Sequence, residues 1–226
     1  MKHLLSITLC CLGAAAMLCG CGGNAAKKAS KDAEKAAADS VVAAELNQRT
    51  MDKIAQLPEE PVFDIITSMG VIKIKLYADT PKHRENFAKL ALQKYYDGLL
   101  FHRIIPHFMI QGGDPLTRDA SKKASFGTGG PDYTIPAEIV PGHHHKKGAL
   151  AAARRGDAVN PYKESSGSQF YLVQDEEGCR HLDGEYTIFG ETLEGFDVID
   201  KIAAVQTDQR GCPVQDVRII TIKLEE

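Results

Sequence analysis

The chain has 226 residues, and its 27 lysines and arginines against 30 aspartates and glutamates give a formal net charge of −3. This near balance argues against a protein that binds nucleic acid through a basic surface. With 25% charged and 43% hydrophobic residues, the composition is typical of a globular protein and excludes one that crosses a membrane many times.

Residues 1–20 resemble a bacterial lipoprotein signal peptide. Lys2 precedes an apolar run over residues 4–18, and the small residue Gly20 stands directly before Cys21. We therefore expect cleavage before Cys21 and attachment of a lipid to its sulfur, which leaves residues 1–20 out of the folded protein. The alternative is an uncleaved transmembrane anchor, which needs about 20 apolar residues and usually has clearer flanks.

The residue after the expected lipidation site bears on localisation. Gly22 is not an aspartate, and in bacteria with two membranes this resembles a signal for sorting to the outer membrane. We expect a protein of the cell envelope that is held to the outer membrane by its N-terminal lipid and faces the periplasm.

Two cysteines remain in the mature chain besides Cys21. Cys179 and Cys212 lie in turn-like surroundings next to glycines. An even pair of thiols in an exported chain suggests a disulfide between them. The alternative is two buried free thiols, and the sequence leaves both open.

Residues 21–60 form a spacer that is rich in Ala, Lys and Glu and poor in strand-forming residues. This composition predicts a helix over residues 33–57, which Pro58 and Pro61 end. One interpretation is a semi-rigid stalk that holds the domain away from a membrane. An incomplete apolar stripe leaves a partner-binding or dimerising helix as the alternative. The predicted folded domain then covers residues 61–226.

The pattern after residue 61 predicts a mainly β domain. Ile72, Ile74 and Leu76 alternate with lysines at the period of a half-buried strand. The strand-like run Val62–Thr67 precedes them across a short turn, so the two segments predict a hairpin.

Two helices and six further strands are predicted downstream. The segment Asp79–Pro81 supplies a cap and a first-turn proline for a helix that runs to about Leu92, and a second helix covers Phe196–Ala203. The further strand-like runs are Leu100–Ile104, Phe108–Gln111, Ala149–Ala153, Phe170–Val173, Thr187–Phe189 and Val217–Leu224. Eight short strands with two helices predict a closed eight-stranded antiparallel barrel capped by the helices, which would leave no exposed sheet edge.

Three motifs that suggest other chemistry lack the spacing it requires. Successive histidines in the run His143–His145 cannot all face one ion on regular structure, so a solvated basic loop is favoured over a metal site. The glycine-rich residues 127–130 lack the following lysine and helix of a phosphate-binding loop, and residues 166–168 lack the spacing of a nucleophile elbow. We expect neither a metal nor a cofactor.

The stretch Phe101–Asp114 places one arginine among aromatic and aliphatic residues. Arginine is rarely buried without a partner. Met109 and Gln111 share one strand face by the period of two, so Arg103 can lie beside an apolar pocket with Gln111 to orient it. An arginine paired structurally with a carboxylate is an equal alternative.

The same stretch is similar to the signature of cyclophilin-type peptidyl-prolyl isomerases, and the resemblance extends over about Val62 to Leu224. Further matching segments, in the family's order, are Phe126–Gly130, Gly148–Ala153, Gly167–Phe170 and Leu182–Gly190. The family's eight-stranded barrel with two helices agrees with the elements predicted from pattern. The resemblance implies a peptidyl-prolyl cis-trans isomerase that acts on proline-containing polypeptides, and we expect it to be monomeric.

The positions that match the family's motifs imply the site residues. Arg103 is the expected catalytic arginine, Gln111 its hydrogen-bonding neighbour and Phe108 a wall of the proline pocket. The expected substrate-binding residues are His102, Met109, Ala153, Arg154, Gln169, Tyr171, Leu182 and Tyr186.

Several positions depart from the family's pattern. Arg154 stands where Asn is common, Tyr171 where Phe is usual, and Tyr186 where His is frequent. His181 replaces the Trp of many members that bind cyclosporin well. The loop of residues 155–165 is longer than usual and borders the expected site. These departures leave a rival function open. The chain could be a proline-peptide binding module or chaperone that uses the same groove without relevant catalytic turnover.

Overall fold

The structure is a computed structural model that describes residues 32, 35, 40–42, 44, 45 and 47–225. The expected signal peptide and Cys21 lie outside the described residues. The chain divides after Glu45, and the unit Leu46–Glu226 contains every strand of the described part. No helix among the described residues is both long and apolar enough to span a bilayer.

The end of the predicted spacer helix is part of the folded unit. Residues 47–55 are helical, and the helix stops before Pro58 as expected. Gln93 Nε2 donates a hydrogen bond of 2.7 Å to Asn47 Oδ1, and Leu57 packs against the hydrophobic core. These contacts join the last turns of the helix to the domain that follows.

Nine strands and two helices make up the domain. In chain order they are β1 (Val62–Thr67), β2 (Gly70–Leu76), α1 (Pro81–Leu92), β3 (Arg103–Ile105), β4 (Met109–Gly112), β5 (Thr134–Ile135), β6 (Ala149–Arg154), β7 (Ser165–Val173), β8 (Ile188–Glu194), α2 (Phe196–Ala203) and β9 (Ile219–Leu224). Short 3₁₀ helices cover Pro115–Arg118, Ala120–Ser125 and Arg180–Leu182. Both predicted helices and the eight predicted strands are confirmed, with shifts at the strand ends. The sequence did not predict β5, because two residues are too short to show a period.

The strands form one curled antiparallel sheet in the order β3-β4-β7-β6-β8-β2-β1-β9, with β5 paired to β7. The prediction of a closed barrel is not confirmed, because the path is open between the edge strands β3 and β9. The chain on either side of this opening is joined by an isolated bridge between Leu100 and Arg218 rather than by a continuous ladder. The fold is therefore a mainly β half-barrel with a few helices.

Aromatic rings fill the core between α1 and the inner face of the sheet. Phe87 of α1 lies with its ring centroid 5.2–6.0 Å from the rings of Phe63, Tyr96, Phe170 and Phe189. Pairs of this kind each add about 0.5–1.5 kcal/mol beyond the burial of their area. This cluster anchors α1 against β7 and β8, and β7 also contributes Tyr171 to the site.

The start of α1 is capped differently from the prediction. The side chain of Thr80 makes no capping hydrogen bond. Instead, the carboxylate of Glu138 accepts hydrogen bonds of 3.0 Å from the backbone N–H groups of Lys82 and His83. A negative charge at a helix N-terminus satisfies its free N–H groups and complements its dipole. The cap is therefore supplied by a segment distant in sequence.

Candidate active site

The register of four neighbouring strands brings the central side chains together. Arg103 on β3 lies directly opposite Gln111 on β4, Gln111 lies opposite Tyr171 on β7, and Tyr171 lies opposite Ala151 on β6. Directly paired residues of adjacent strands present their side chains on the same face of a sheet. One row across four strands therefore carries the predicted arginine, its glutamine neighbour and a wall of the pocket.

Arg103 makes no ion pair with the described part of the chain. Its Nη1 donates to Gln111 Oε1 at 3.4 Å, and its guanidinium lies 5.8 Å from the centre of the Phe108 ring. Burial lowers the pKa of Arg103 from its ordinary value, but a guanidinium stays charged at any physiological pH. The alternative of an arginine paired with a carboxylate is thus wrong, and most of the five N–H donors of Arg103 lack an acceptor among the described residues.

A second amide fixes the orientation of Gln111. Gln111 Nε2 donates to Gln169 Oε1 at 3.0 Å, and Gln169 Nε2 donates in turn to the carbonyl oxygens of Gly127 and Gly129 at 3.1 and 2.7 Å. The buried carboxylate of Asp114 accepts hydrogen bonds from the N–H groups of the same two glycines. The predicted residue Gln169 therefore links the arginine's partner to the glycine-rich segment, and Asp114 is a supporting residue that the sequence did not reveal.

A small cavity of about 110 Å³ lies over this row. It is lined by Arg103, Phe108, Met109, Gln111, Ala153, Arg154, Tyr171, Leu182 and Tyr186. Every lining residue was expected from the sequence, and the walls are mostly aromatic or aliphatic. The arrangement combines aromatic and aliphatic walls with the polar groups of Arg103, Arg154 and Gln111, which suits the ring of a proline and a polar atom beside it.

A larger cavity of about 850 Å³ adjoins the small one. Gln111, Ala153 and Arg154 line both cavities, and Gln169 lines the larger one. Its outer wall includes residues of the long loop, among them Val159. The predicted position of this loop beside the site is confirmed, and the shared lining residues make the two cavities one continuous groove.

The side chain of Arg154 is engaged with the protein rather than free for a substrate. Its Nε donates to the carbonyl oxygen of Glu185 at 2.9 Å, and its guanidinium pairs with the carboxylates of Asp157 and Glu185. The guanidinium also lies 4.5 Å from the centre of the Tyr186 ring. Arg154 thus joins the long loop to the opposite rim of the groove.

His102 differs from the other predicted substrate-binding residues. It lines neither of the two cavities, and its side chain is buried beside Gly127. Burial lowers its pKa to about 4, so the imidazole is neutral at physiological pH. Neither ring nitrogen has a hydrogen-bond partner among the described residues. The expectation of direct substrate contact is therefore not supported, and His102 packs beneath the glycine-rich segment instead.

The run His143–His145 is not the solvated loop that the sequence suggested. The side chain of His145 is fully buried, and it contacts Asp183 and the hydroxyl group of Tyr171. His144 contacts the same carboxylate from the exposed side. No group of three or more potential metal ligands occurs in the described part of the chain. The only sequence signal for the contact between His145 and Tyr171 was the tyrosine itself. It stands where phenylalanine is usual, and a buried phenol needs a hydrogen-bond partner for its hydroxyl group.

The disulfide predicted between Cys179 and Cys212 does not form in the structure. Both residues are free, buried thiols. Cys179 Sγ lies 3.9 Å from the carbonyl oxygen of Phe108, whereas the backbone N–H of Cys212 donates to Asp208 in a separate turn. The alternative of two buried free thiols is the one observed, and packing holds each of the two turns.

Comparison with known proteins identifies the family. A family model described as cyclophilin type peptidyl-prolyl cis-trans isomerase/CLD matches residues 62–224. The peptidyl-prolyl cis-trans isomerase-like 1 of Aspergillus fumigatus is 39% identical over 167 residues, which cover 73% of this chain and 94% of the relative. The human protein of the same name is 39% identical over 155 residues, which cover 68% of this chain and 86% of the relative.

A solved structure gives the same result at the level of fold. The crystal structure of a Cryptosporidium parvum cyclophilin type peptidyl-prolyl cis-trans isomerase in the presence of the dipeptide Ala-Pro has a TM-score of 0.64 and 29% identity, and the match covers 73% of this chain and 99% of that one. Together with the site geometry, these findings show that the chain belongs to the cyclophilin-type peptidyl-prolyl cis-trans isomerases and is an enzyme of that activity.

Proposed function

We propose that Arg103 accelerates the rotation of X-Pro peptide bonds by donating a hydrogen bond to the prolyl nitrogen in the transition state. Amide resonance alone opposes this rotation, with a barrier of about 18–20 kcal/mol, and no σ bond is broken. In the twisted transition state the nitrogen loses conjugation and regains a lone pair. It then accepts a hydrogen bond that neither planar ground state can accept. An interaction made only at the top of the barrier raises the rate.

The position of Arg103 is the observation that carries this mechanism. The guanidinium borders the apolar cavity, lacks an ion-pair partner among the described residues and is oriented by Gln111. A charge-assisted hydrogen bond in such a site supplies roughly 3–4 kcal/mol by analogy with an oxyanion-hole donor, which is about a hundredfold or more in rate. The apolar walls exclude water that would otherwise stabilise the planar, polar amide.

The proposed substrates are proline-containing polypeptides. The Cryptosporidium relative was crystallised in the presence of Ala-Pro, and the small cavity of this chain offers apolar walls to a prolyl ring. A protease-independent isomerisation assay with the full chain and an X-Pro peptide tests the activity. We expect acceleration at micromolar protein. Peptide binding without acceleration would overturn the mechanism and favour the rival function of a proline-peptide binding module.

The proposed setting is the cell envelope, with exported proteins as substrates. Support comes from the sequence, where a lipoprotein-like signal precedes Cys21 and a spacer precedes the domain. An uncatalysed X-Pro bond isomerises in tens to hundreds of seconds, which is slow enough to limit the folding of a newly exported chain. A membrane-held isomerase would act where those chains emerge.

Metabolic labelling with a fatty acid tests the anchor. The wild-type chain and a Cys19→Ser control should incorporate the label in a bacterial host, whereas Cys21→Ser should not. A Cys21→Ser protein that still carries the label would refute lipidation at this position. Membrane fractionation then tests the proposed location at the outer membrane. Treatment of intact cells with a protease tests whether the domain faces the periplasm. Cleavage of the domain by protease added outside the cell would contradict that orientation.

A further inference from the structure

Tyr171 forms part of the wall of the small cavity, and its hydroxyl group has a partner behind that wall. The hydroxyl oxygen lies 3.0 Å from His145 Nε2, and the two rings are nearly parallel, with an interplanar angle of 10°. The side chain of His145 is 0% exposed and Tyr171 is 5% exposed. The contact is therefore shielded from water, where a hydrogen bond matters most.

Asp183 determines which nitrogen of His145 carries the proton. Asp183 Oδ1 lies 2.8 Å from both the backbone nitrogen and Nδ1 of His145. Although burial acts to raise it, hydrogen bonds from the histidines hold the pKa of Asp183 at about 2, so its carboxylate only accepts. Nδ1–H therefore donates to Asp183. Burial lowers the pKa of His145 and favours the neutral ring, so Nε2 accepts a hydrogen bond from the Tyr171 hydroxyl group.

These hydrogen bonds connect two walls of the small cavity. Tyr171 belongs to β7, whereas Asp183 directly follows Leu182, which lines the cavity from the 3₁₀ helix Arg180–Leu182. His145, in the segment before β6, lies between them. The chain of contacts from Tyr171 through His145 to Asp183 therefore spans from one wall to the other, behind the space that the prolyl ring would fill.

We propose that Tyr171, His145 and Asp183 form one hydrogen-bonded chain that sets the separation of the proline pocket's walls, with His145 as a positioning residue for isomerisation. Without His145, the hydroxyl group of Tyr171 is left buried without an acceptor and must move to find one. The ring then shifts relative to Leu182, and the pocket grips the prolyl ring less well in ground and transition states alike. This inference rests on the isomerase activity and adds to it a determinant of substrate fit.

A double-mutant cycle at positions 145 and 171 in the full chain tests the proposal. We expect His145→Leu to lower kcat/KM about tenfold, mostly through KM, because uniform binding is lost. In the Tyr171→Phe background no hydroxyl group needs an acceptor, so the same change should cost less than about threefold. The control is His144→Leu, which removes an exposed imidazole from the same carboxylate without touching Tyr171. Its effect should be equal in both backgrounds.

The results separate this proposal from a purely structural role of His145. A protein that is only partly folded loses active molecules and so lowers kcat, whereas KM stays the same. Equal losses from His145→Leu in the wild-type and Tyr171→Phe backgrounds would overturn the proposal. An inactive wild-type chain would instead overturn the assigned activity, so the two failures are distinguishable.

Nuclear magnetic resonance of histidine-labelled protein tests the hydrogen bonds even where His145→Leu does not fold. We expect a protonated Nδ1 and an unprotonated Nε2 in His145, and Tyr171→Phe should shift the Nε2 resonance and leave those of His143 in place. A proton on Nε2, or an Nε2 resonance that does not respond to Tyr171→Phe, would contradict the proposed chain.

Discussion

Gln111 lies directly opposite Arg103 in the register of β4 and β3, and its Oε1 accepts a hydrogen bond of 3.4 Å from Arg103 Nη1. The amide cannot turn away, because its nitrogen donates to Gln169. The guanidinium is thus oriented by this rather long hydrogen bond and by a weak contact of its Nη1 with Met109 Sδ at 4.0 Å. Its remaining donors are available to a substrate at the edge of the apolar pocket.

Arg103→Lys should lose most of the isomerase activity although the charge is kept. An ammonium group is not planar and cannot be held by Gln111 in the same direction. We expect kcat/KM to fall about a hundredfold, and peptide affinity measured by titration to change much less. Arg218→Lys, an exposed position outside the groove, is the matched control and should retain activity. Equal losses in kcat/KM and in affinity would mean that Arg103 serves binding alone.

Arg154→Ala should weaken substrate binding without changing the chemical step. The change removes the ion pairs of Arg154 with Asp157 in the long loop and with Glu185 at the rim, so the ion pair of Lys163 with Glu185 alone still ties the loop to that carboxylate. A looser loop should raise KM about three- to tenfold and leave kcat near its wild-type value. Lys201→Ala removes an exposed ion pair on α2 and serves as the control. A fall in kcat with KM unchanged would contradict this role for the loop.

The stability of the domain should fall as the pH decreases from about 6.5 to about 4. Burial lowers the pKa of His102 from 6.5 to about 4, so within this range the unfolded chain takes up a proton that the folded chain does not. The folded state is then disfavoured, by an amount that approaches about 3 kcal/mol for this group. Above pH 6.5 both states carry neutral His102, and its contribution to the pH dependence vanishes.

Urea unfolding at several pH values between 4 and 7.5 measures this effect. His102→Leu should reduce the pH dependence, because the buried ring without a hydrogen-bond partner among the described residues is replaced by an apolar side chain. The exposed residue His107 gives the control His107→Asn, which should keep the wild-type slope. His83 and His145 also have pKa values lowered by burial, so part of the slope should remain in His102→Leu. An unchanged slope in that variant would contradict the assignment.

The two cysteines of the domain should be unreactive thiols in the folded protein. Burial raises the pKa of Cys179 to about 11, so little of the reactive thiolate is present. Cys212 is also buried. We expect slow alkylation of both thiols in the native protein and complete alkylation of both in urea without a reductant. Mass spectrometry measures the extent of alkylation. Failure to alkylate them in urea until a reductant is added would show a disulfide instead.

Much of the domain could be predicted from the sequence because it depends on short-range pattern. The alternation around Ile72 and Ile74 is local, and so are the helical period and first-turn proline of α1. The stretch Phe101–Asp114 is also local, and it contains both Arg103 and Gln111, on two strands that follow each other directly in the chain. These features require only the period of each element and a recognisable motif, which is why eight of the nine strands, the two helices and the lining of the small cavity were predicted.

Tertiary structure decided every feature that depends on a partner distant in sequence. The strand register and the path of the loops decide whether Arg103 has a carboxylate beside it. They also decide that the side chain of Arg154 pairs with Glu185. The burial of His145 against Tyr171, the open edge between β3 and β9 and the separate turns of the two cysteines have the same origin. Periodicity determines which face a side chain occupies, but the distance to its partner is set only when strands from different parts of the chain pack together.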